Sequence, residues 1–180
     1  MKATVGPQRA VELLRVEHAA VRDLIDALDE EEMTRPDTIR HGMYADQRLS
    51  FKDLLAHLIC YEALALAAMA AWGRGERHQA IDIMRSPARS HSLHYSGIAD
   101  RSEHSLAQVL DEWERCHAGL EDAIAALDEH QWRRPAPWPE GEPLDLGGMV
   151  EEIIVTPPRP FYRHLPVHIP DSAEYIRSLR

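Results

Sequence analysis

Apolar residues recur at alternating spacings of three and four along three stretches of the chain. In the first, Val11, Leu14, His18, Val21, Ile25 and Leu28 fall on one stripe, as expected of a helix that buries a single face. Pro7 suits its first turn, where a missing N–H costs nothing. The acidic run Asp29 to Glu32, followed by Pro36, predicts its end. A second helix is predicted from Ser50, with Asp53 as capping-box partner. It continues through Phe51, Leu54, Leu55, Leu58, Tyr61, Leu64, Ala68 and Trp72, and stops at Gly73. From Ala63 to Trp72 it is apolar on every side, which predicts a central helix or one covered by a second subunit, and hence a homodimer. A third begins at Ser105, with Gln108 as box partner, and carries Leu106, Leu110, Trp113, His117, Leu120, Ile124 and Leu127.

The remaining segments are less regular. Arg74 to Glu103 is a long polar connection, expected to hold one short helix around Gln79 to Met84 and to cross over between parallel helices. Nine of the 12 prolines lie between Pro135 and Pro170. Arg133 to Pro143 reads as an extended loop containing Trp138, Gly148 to Val155 as a turn or two of helix, and Pro160 to Leu179 as a final broken helix. Strand alternation is scarce. The pattern predicts an all-α four-helix bundle, with a long crossover between its second and third helices and a Pro-rich loop before the last. Residues 1–180 form a single domain in this reading, without internal repeats.

Charge and targeting narrow the partners. The chain has 20 Lys+Arg against 30 Asp+Glu, a net charge of -10. Without a basic stripe, such a balance predicts binding to neither nucleic acid nor a membrane surface. Charged positions follow soon after Met1, so no signal peptide is expected, and His57 and Glu62 interrupt the most apolar run, Leu54 to Trp72, before it reaches the make-up of a membrane span. Cys60 and Cys116 are too few and too far apart for a disulfide framework, which points to reduced thiols in the cytoplasm.

Candidate chemistry centres on histidine, of which the chain has 11. His164 and His168 stand four apart, the spacing that puts two imidazoles on one helix face within reach of one metal ion. Chance supplies about one such pair in a chain this rich in histidine, so the spacing gains weight only from other residues. His57 lies amid Leu54, Leu55, Leu58 and Ile59, where a polar ring needs a partner. A lone histidine on one helix and a pair on another make three ligands, the arrangement of catalytic zinc with one position left open. His18 and His117 fall in the buried seams of their helices and read first as core histidines bonded to a neighbour. His91 and His94 read as solvated, as do His41, His78, His104 and His130. Glu62, Glu151 and Glu152 read as exposed acids, with a base near a metal as the alternative.

The run Ser50-Phe51-Lys52-Asp53-Leu54-Leu55-Ala56-His57-Leu58, with Glu62, Trp72 and Gly75, resembles the second-helix signature of the DinB-like four-helix-bundle superfamily. Ser105 to Leu110 with Trp113 is similar to its third helix, and His164 to Ile169 with Tyr175-Ile176 to its fourth. The nearest likeness is to the ClbS/DfsB branch and to the thiol-dependent isomerases and transferases. The resemblance implies a divalent metal, zinc or nickel first, held by His57, His164 and His168. It further implies a small-molecule substrate, either an electrophile to be hydrolysed or a partner for a low-molecular-weight thiol, in bacterial detoxification. Pro166 and Pro170 depart from the family pattern, since each removes a helix hydrogen bond within or just after the last motif. The other readings are a non-catalytic module that binds or sequesters a small molecule, and a dimeric interaction protein.

Overall fold

A computed structural model describes residues 1–36, 49–141, 143–154 and 177. They form helices and connections, with one isolated bridge between Pro135 and Asp145 and no strand among the described residues. Three long helices carry the three stripes: α1 (Pro7–Asp26), α3 (Phe51–Gly73) and α6 (Leu106–Ala125). Between and after them lie α2 (Glu30–Thr34), α4 (Ala80–Met84), α5 (Pro87–Ala99), α7 (Glu129–Trp132) and α8 (Leu146–Ile154). The segment expected to form the last helix, Pro160 to Leu179, lies outside the described residues apart from Arg177.

Local chemistry sets the helix starts. The Ser50 hydroxyl accepts from the Asp53 amide while the Asp53 carboxylate accepts from the Ser50 amide, and Ser105 with Gln108 repeats the exchange. The acidic run after α1 does not merely end a helix. Asp29 forms a third box with Glu32 and begins α2, where the carboxylates of Glu30 to Glu32 favour the positive end of the helix dipole. At the other end of α3 the left-handed position is Gly75, with φ 78°, rather than Gly73.

The long crossover holds more order than its polar composition predicts. It contains α4 and also α5, whose start is capped by the Ser86 hydroxyl and primed by Pro87. Packing on α3 explains α5, because Gly97 meets Cys60 so closely that an added Cβ would lie 2.7 Å from its sulfur. Gly97→Ala should therefore push α5 outward and cost about 1–3 kcal/mol, measurable as a lower denaturation midpoint; an unchanged midpoint would show that the two helices yield freely.

α3 is the centre, packed on α6, α8 and α5, while α1 packs on α6. By length and composition it is apolar enough to cross a membrane, despite His57 and Glu62, yet 56% of its most apolar window is buried inside the protein. Most of its apolar surface is covered within the chain, and the apolar face left exposed is that of Ala63, Ala67 and Ala70.

The apolar interior is divided in two. One core joins Leu14, Ala65, Ala68, Trp72, Leu120, Ile124 and α8; the other joins Val21, Ile25, Phe51, Leu55, Ile59, Val109 and Trp113. Between them, at one level of the bundle, α1 contributes His18, α3 Glu62 and α6 His117. This polar layer positions the candidate site.

Candidate functional site

Each member of the polar layer is held by a specific partner. The His117 ring, with a side chain 6% exposed, places Nδ1 2.9 Å from Glu62 Oε1. His18 Nε2 lies 2.9 Å from Glu114 Oε2, whose other oxygen accepts from Arg22. The rings stack: His18 lies 4.5 Å from Trp113 and 4.4 Å from His117, at interplanar angles of 19° and 18°. Both histidines are bonded to a neighbour, as their place in the seams predicts, and both also line a cleft.

That cleft is small, about 30 Å³. Leu14, Val21, Leu58, Trp113 and Ile154 supply apolar walls, and Glu17, His18, Tyr61, Glu62 and His117 a polar side. Among the described residues, buried His117 Nε2 and Glu62 Oε2 meet no hydrogen-bond partner there. Buried polar atoms are seldom left so. In the neutral ring, Nδ1 donating to Glu62 leaves a lone pair at Nε2.

Burial pushes His18 below the ordinary histidine range, and the neighbouring His117 adds to this, while Glu114 opposes it. A base whose folded pKa is lowered stabilises the fold fully above its unfolded value of about 6.5, and that stability is lost as pH falls through the folded value. His18→Phe keeps a ring on Trp113 but cannot titrate. It should flatten the fall in stability as pH drops below about 6.5, measured by denaturant unfolding; an unaltered slope would place the titration elsewhere.

His57 belongs to a second cluster. It is buried on α3, its ring edge-on to Tyr61 at 4.8 Å, and its Nδ1 lies 2.6 Å from Nδ1 of His94. His94 on α5 is fully buried, which corrects its reading as a solvated residue. The physical reason is α5 itself: Gly97, one turn beyond His94, lets the helix approach α3 closely enough for the rings to meet. His91, by contrast, is exposed. Between the two Nδ1 atoms one ring donates and the other accepts. If His57 donates, its lone pair is on Nε2, the tautomer that a metal ligand needs.

The other ligands expected from the sequence, His164 and His168, lie outside the described residues, as do Pro166 and Pro170, the prolines of that motif; His41 does too. Among the described residues, no group of three or more His, Cys, Asp or Glu is arranged to hold a metal ion. The acids resolve differently from their exposed reading. Glu151 is buried and accepts from the Thr4 amide, the Thr4 hydroxyl and the Val5 amide, so it clasps the N-terminal segment rather than serving a cleft. Glu152 pairs with Arg85. Sequence reasoning missed His94 and undervalued Glu62. The readable signal for Glu62 was a carboxylate at the level where α1 and α6 each interrupt an apolar stripe with histidine.

No curated protein matches the chain significantly. Two solved structures share its fold. One is an uncharacterised protein from Escherichia coli UTI89, with a TM-score of 0.64 at 12% identity, covering 96% of this chain and 91% of that one. The other is the colibactin self-resistance protein ClbS in complex with a dsDNA, with a TM-score of 0.64 at 11% identity, covering 96% of this chain and 92% of that one. The second corrects the exclusion of nucleic acid drawn from the net charge, because a protein of this fold is seen with duplex DNA. Net charge is a sum over the whole surface, whereas contacts with phosphate are local and screened within about 8–10 Å, so a balance of -10 does not decide the question. The DinB superfamily model matches residues 13–155, which span α3 and α6 with both histidine clusters and the cleft. The chain belongs to the DinB superfamily.

Proposed function

We propose that this protein is a divalent-metal-dependent enzyme of the DinB superfamily that acts on a small molecule, with His57, His164 and His168 as the metal ligands. One observation carries the reading: His57 is buried with Nδ1 engaged by His94, the outer-shell arrangement that fixes a ligating imidazole and directs its second nitrogen to an ion. The donor set fits zinc or nickel, which imidazole ligands suit. When bound, the ion supplies Lewis acidity to a small electrophile under hydrolysis or to a low-molecular-weight thiol. The chain's own residues do the positioning: His94 orients His57, and Tyr61 borders both His57 and the cleft. Likeness in fold to a self-resistance protein supports a detoxifying role. Elemental analysis of the purified protein tests the reading, with about one equivalent of divalent metal per chain expected. Protein that stays metal-free after exposure to zinc and to nickel would remove it.

A further inference from the structure

A groove lies where the C-terminal ends of α3 and α6 meet α7 and its exit, and at about 450 Å³ it is far larger than the cleft. Leu66, Met69 and Trp72 of α3 line it, with Leu127 and Leu146. Leu66, Met69 and Leu127 are only half-buried, so its walls are hydrocarbon that solvent reaches. Its charged and amide side chains are Arg134 and Gln131, and among the described residues no carboxylate lines it. The Gln131 oxygen accepts from the Asp128 amide, which leaves the Gln131 NH2 to donate. Arg133 pairs with Glu129, whereas exposed Arg134 meets no acid among the described residues. The Trp72 Nε1, a donor only, is buried and meets no acceptor among them.

The side chains that border this groove therefore offer donors and hydrocarbon without an answering negative charge, in a chain whose net charge is -10. Apolar lining with a few polar groups is the usual make-up of a small-molecule site. Bare carbonyls at the end of α3 would oppose an anion, but they are met. Ala70 O accepts from the Arg74 guanidinium, Ala71 O from the Arg74 and Glu76 amides, and Trp72 O from the Gly75 amide. The guanidinium fork of Arg134 matches the two oxygens of a carboxylate. Leu66 to Gly73 covers about 10 Å of helix at 1.5 Å per residue, a run that an eight-carbon chain can follow. We propose that this groove binds a free medium-chain aliphatic carboxylate, its head on Arg134 and Gln131 and its chain along Leu66, Met69 and Leu127. Neither His57 nor His94 lines the groove, and the proposal does not rest on the metal reading.

The probe is sodium octanoate, kept below its micelle concentration and titrated calorimetrically into the full chain, with n-octanol, octylammonium chloride and sodium acetate as comparisons. Saturable binding is expected for octanoate, with n-octanol about tenfold weaker because it lacks the charge. Acetate lacks the chain and octylammonium has the wrong sign, so neither should bind. Arg134→Ala should weaken octanoate about tenfold and leave n-octanol unchanged; the side chain is exposed, so the variant keeps the fold. In the wild-type protein, magnetic-resonance shifts of the Met69 and Leu127 methyls should follow the octanoate isotherm. Absence of saturable octanoate binding, equal binding of n-octanol or octylammonium, full affinity in Arg134→Ala, or shifts confined to residues outside the groove would each overturn the proposal. So would a dimer by light scattering that octanoate leaves intact, with the Met69 and Leu127 methyls shifting with protein concentration, since that result gives the face to a second copy of the chain.

Discussion

On the proposed metal reading, replacing His57 by alanine is expected to abolish divalent-ion binding while leaving the bundle folded. Loss of a ligand should cost more affinity than the ~10–100-fold that follows loss of an outer-shell partner. His94→Phe tests that lesser effect in the same protein, since it keeps a ring in the α3–α5 contact but removes the nitrogen facing His57 Nδ1. The expected order of metal affinity is wild type, then His94→Phe, then His57→Ala, read by competition with a chromogenic chelator. Helicity should change little, because the apolar residues of both cores remain in place. Some stability will go, about 1–3 kcal/mol, since the truncation leaves His94 Nδ1 buried without this partner. Metal content equal to wild type in His57→Ala would sink the assignment. Equal affinity in His94→Phe would retain His57 as a ligand and remove His94 as its orienting partner.

Trp113→Ala is expected to be the most damaging single change to the fold. The indole is 1% exposed and packs in the second core with Val21, Phe51, Leu55 and Val109, while one face stacks on His18. A buried tryptophan cut to alanine costs roughly 3–5 kcal/mol from lost transfer and the cavity left behind. That is a large share of the about 5–15 kcal/mol that holds a domain together, and in a chain of 180 residues it corresponds to roughly 6–20 °C in melting temperature. The change also frees the His18 ring on one side, so the polar layer should loosen with the core. Trp113→Phe keeps an aromatic face against His18 and should cost less than half as much. A loss below about 1 kcal/mol for Trp113→Ala would show that the cleft collapses readily onto the space, and that the stack does not hold the layer.

Much of the scaffold could be read along the chain. The stripes of α1, α3 and α6 depend on residues three and four apart, and the boxes Ser50–Asp53 and Ser105–Gln108 close within three, so the signals are local. The same locality explains why Asp29 was read as a stop. An acidic run after a stripe resembles a helix end, and only the reciprocal bonds with Glu32 show that a second helix starts there. α5 was illegible for a different reason. Its polar sequence has no strong stripe, and it is fixed by a close approach at Gly97 to a residue 37 positions earlier, Cys60.

The sites divide in the same way. The sequence by itself determined which residues interrupt apolar stripes: His18, His57 and His117 stand out wherever the bundle places them. Periodicity fixes the face on which a side chain lies, and burial then obliges each ring to find a partner. Only the tertiary structure decided who the partners are. It put His94 on His57, Glu62 on His117, Glu114 on His18 and Glu151 on the N-terminal segment. It also aligned three polar residues from three helices at one level, beside a cleft. Hydrogen bonds reach about 3 Å, so such pairings depend on the crossing angles and separations of helices far apart in sequence, which no local pattern encodes.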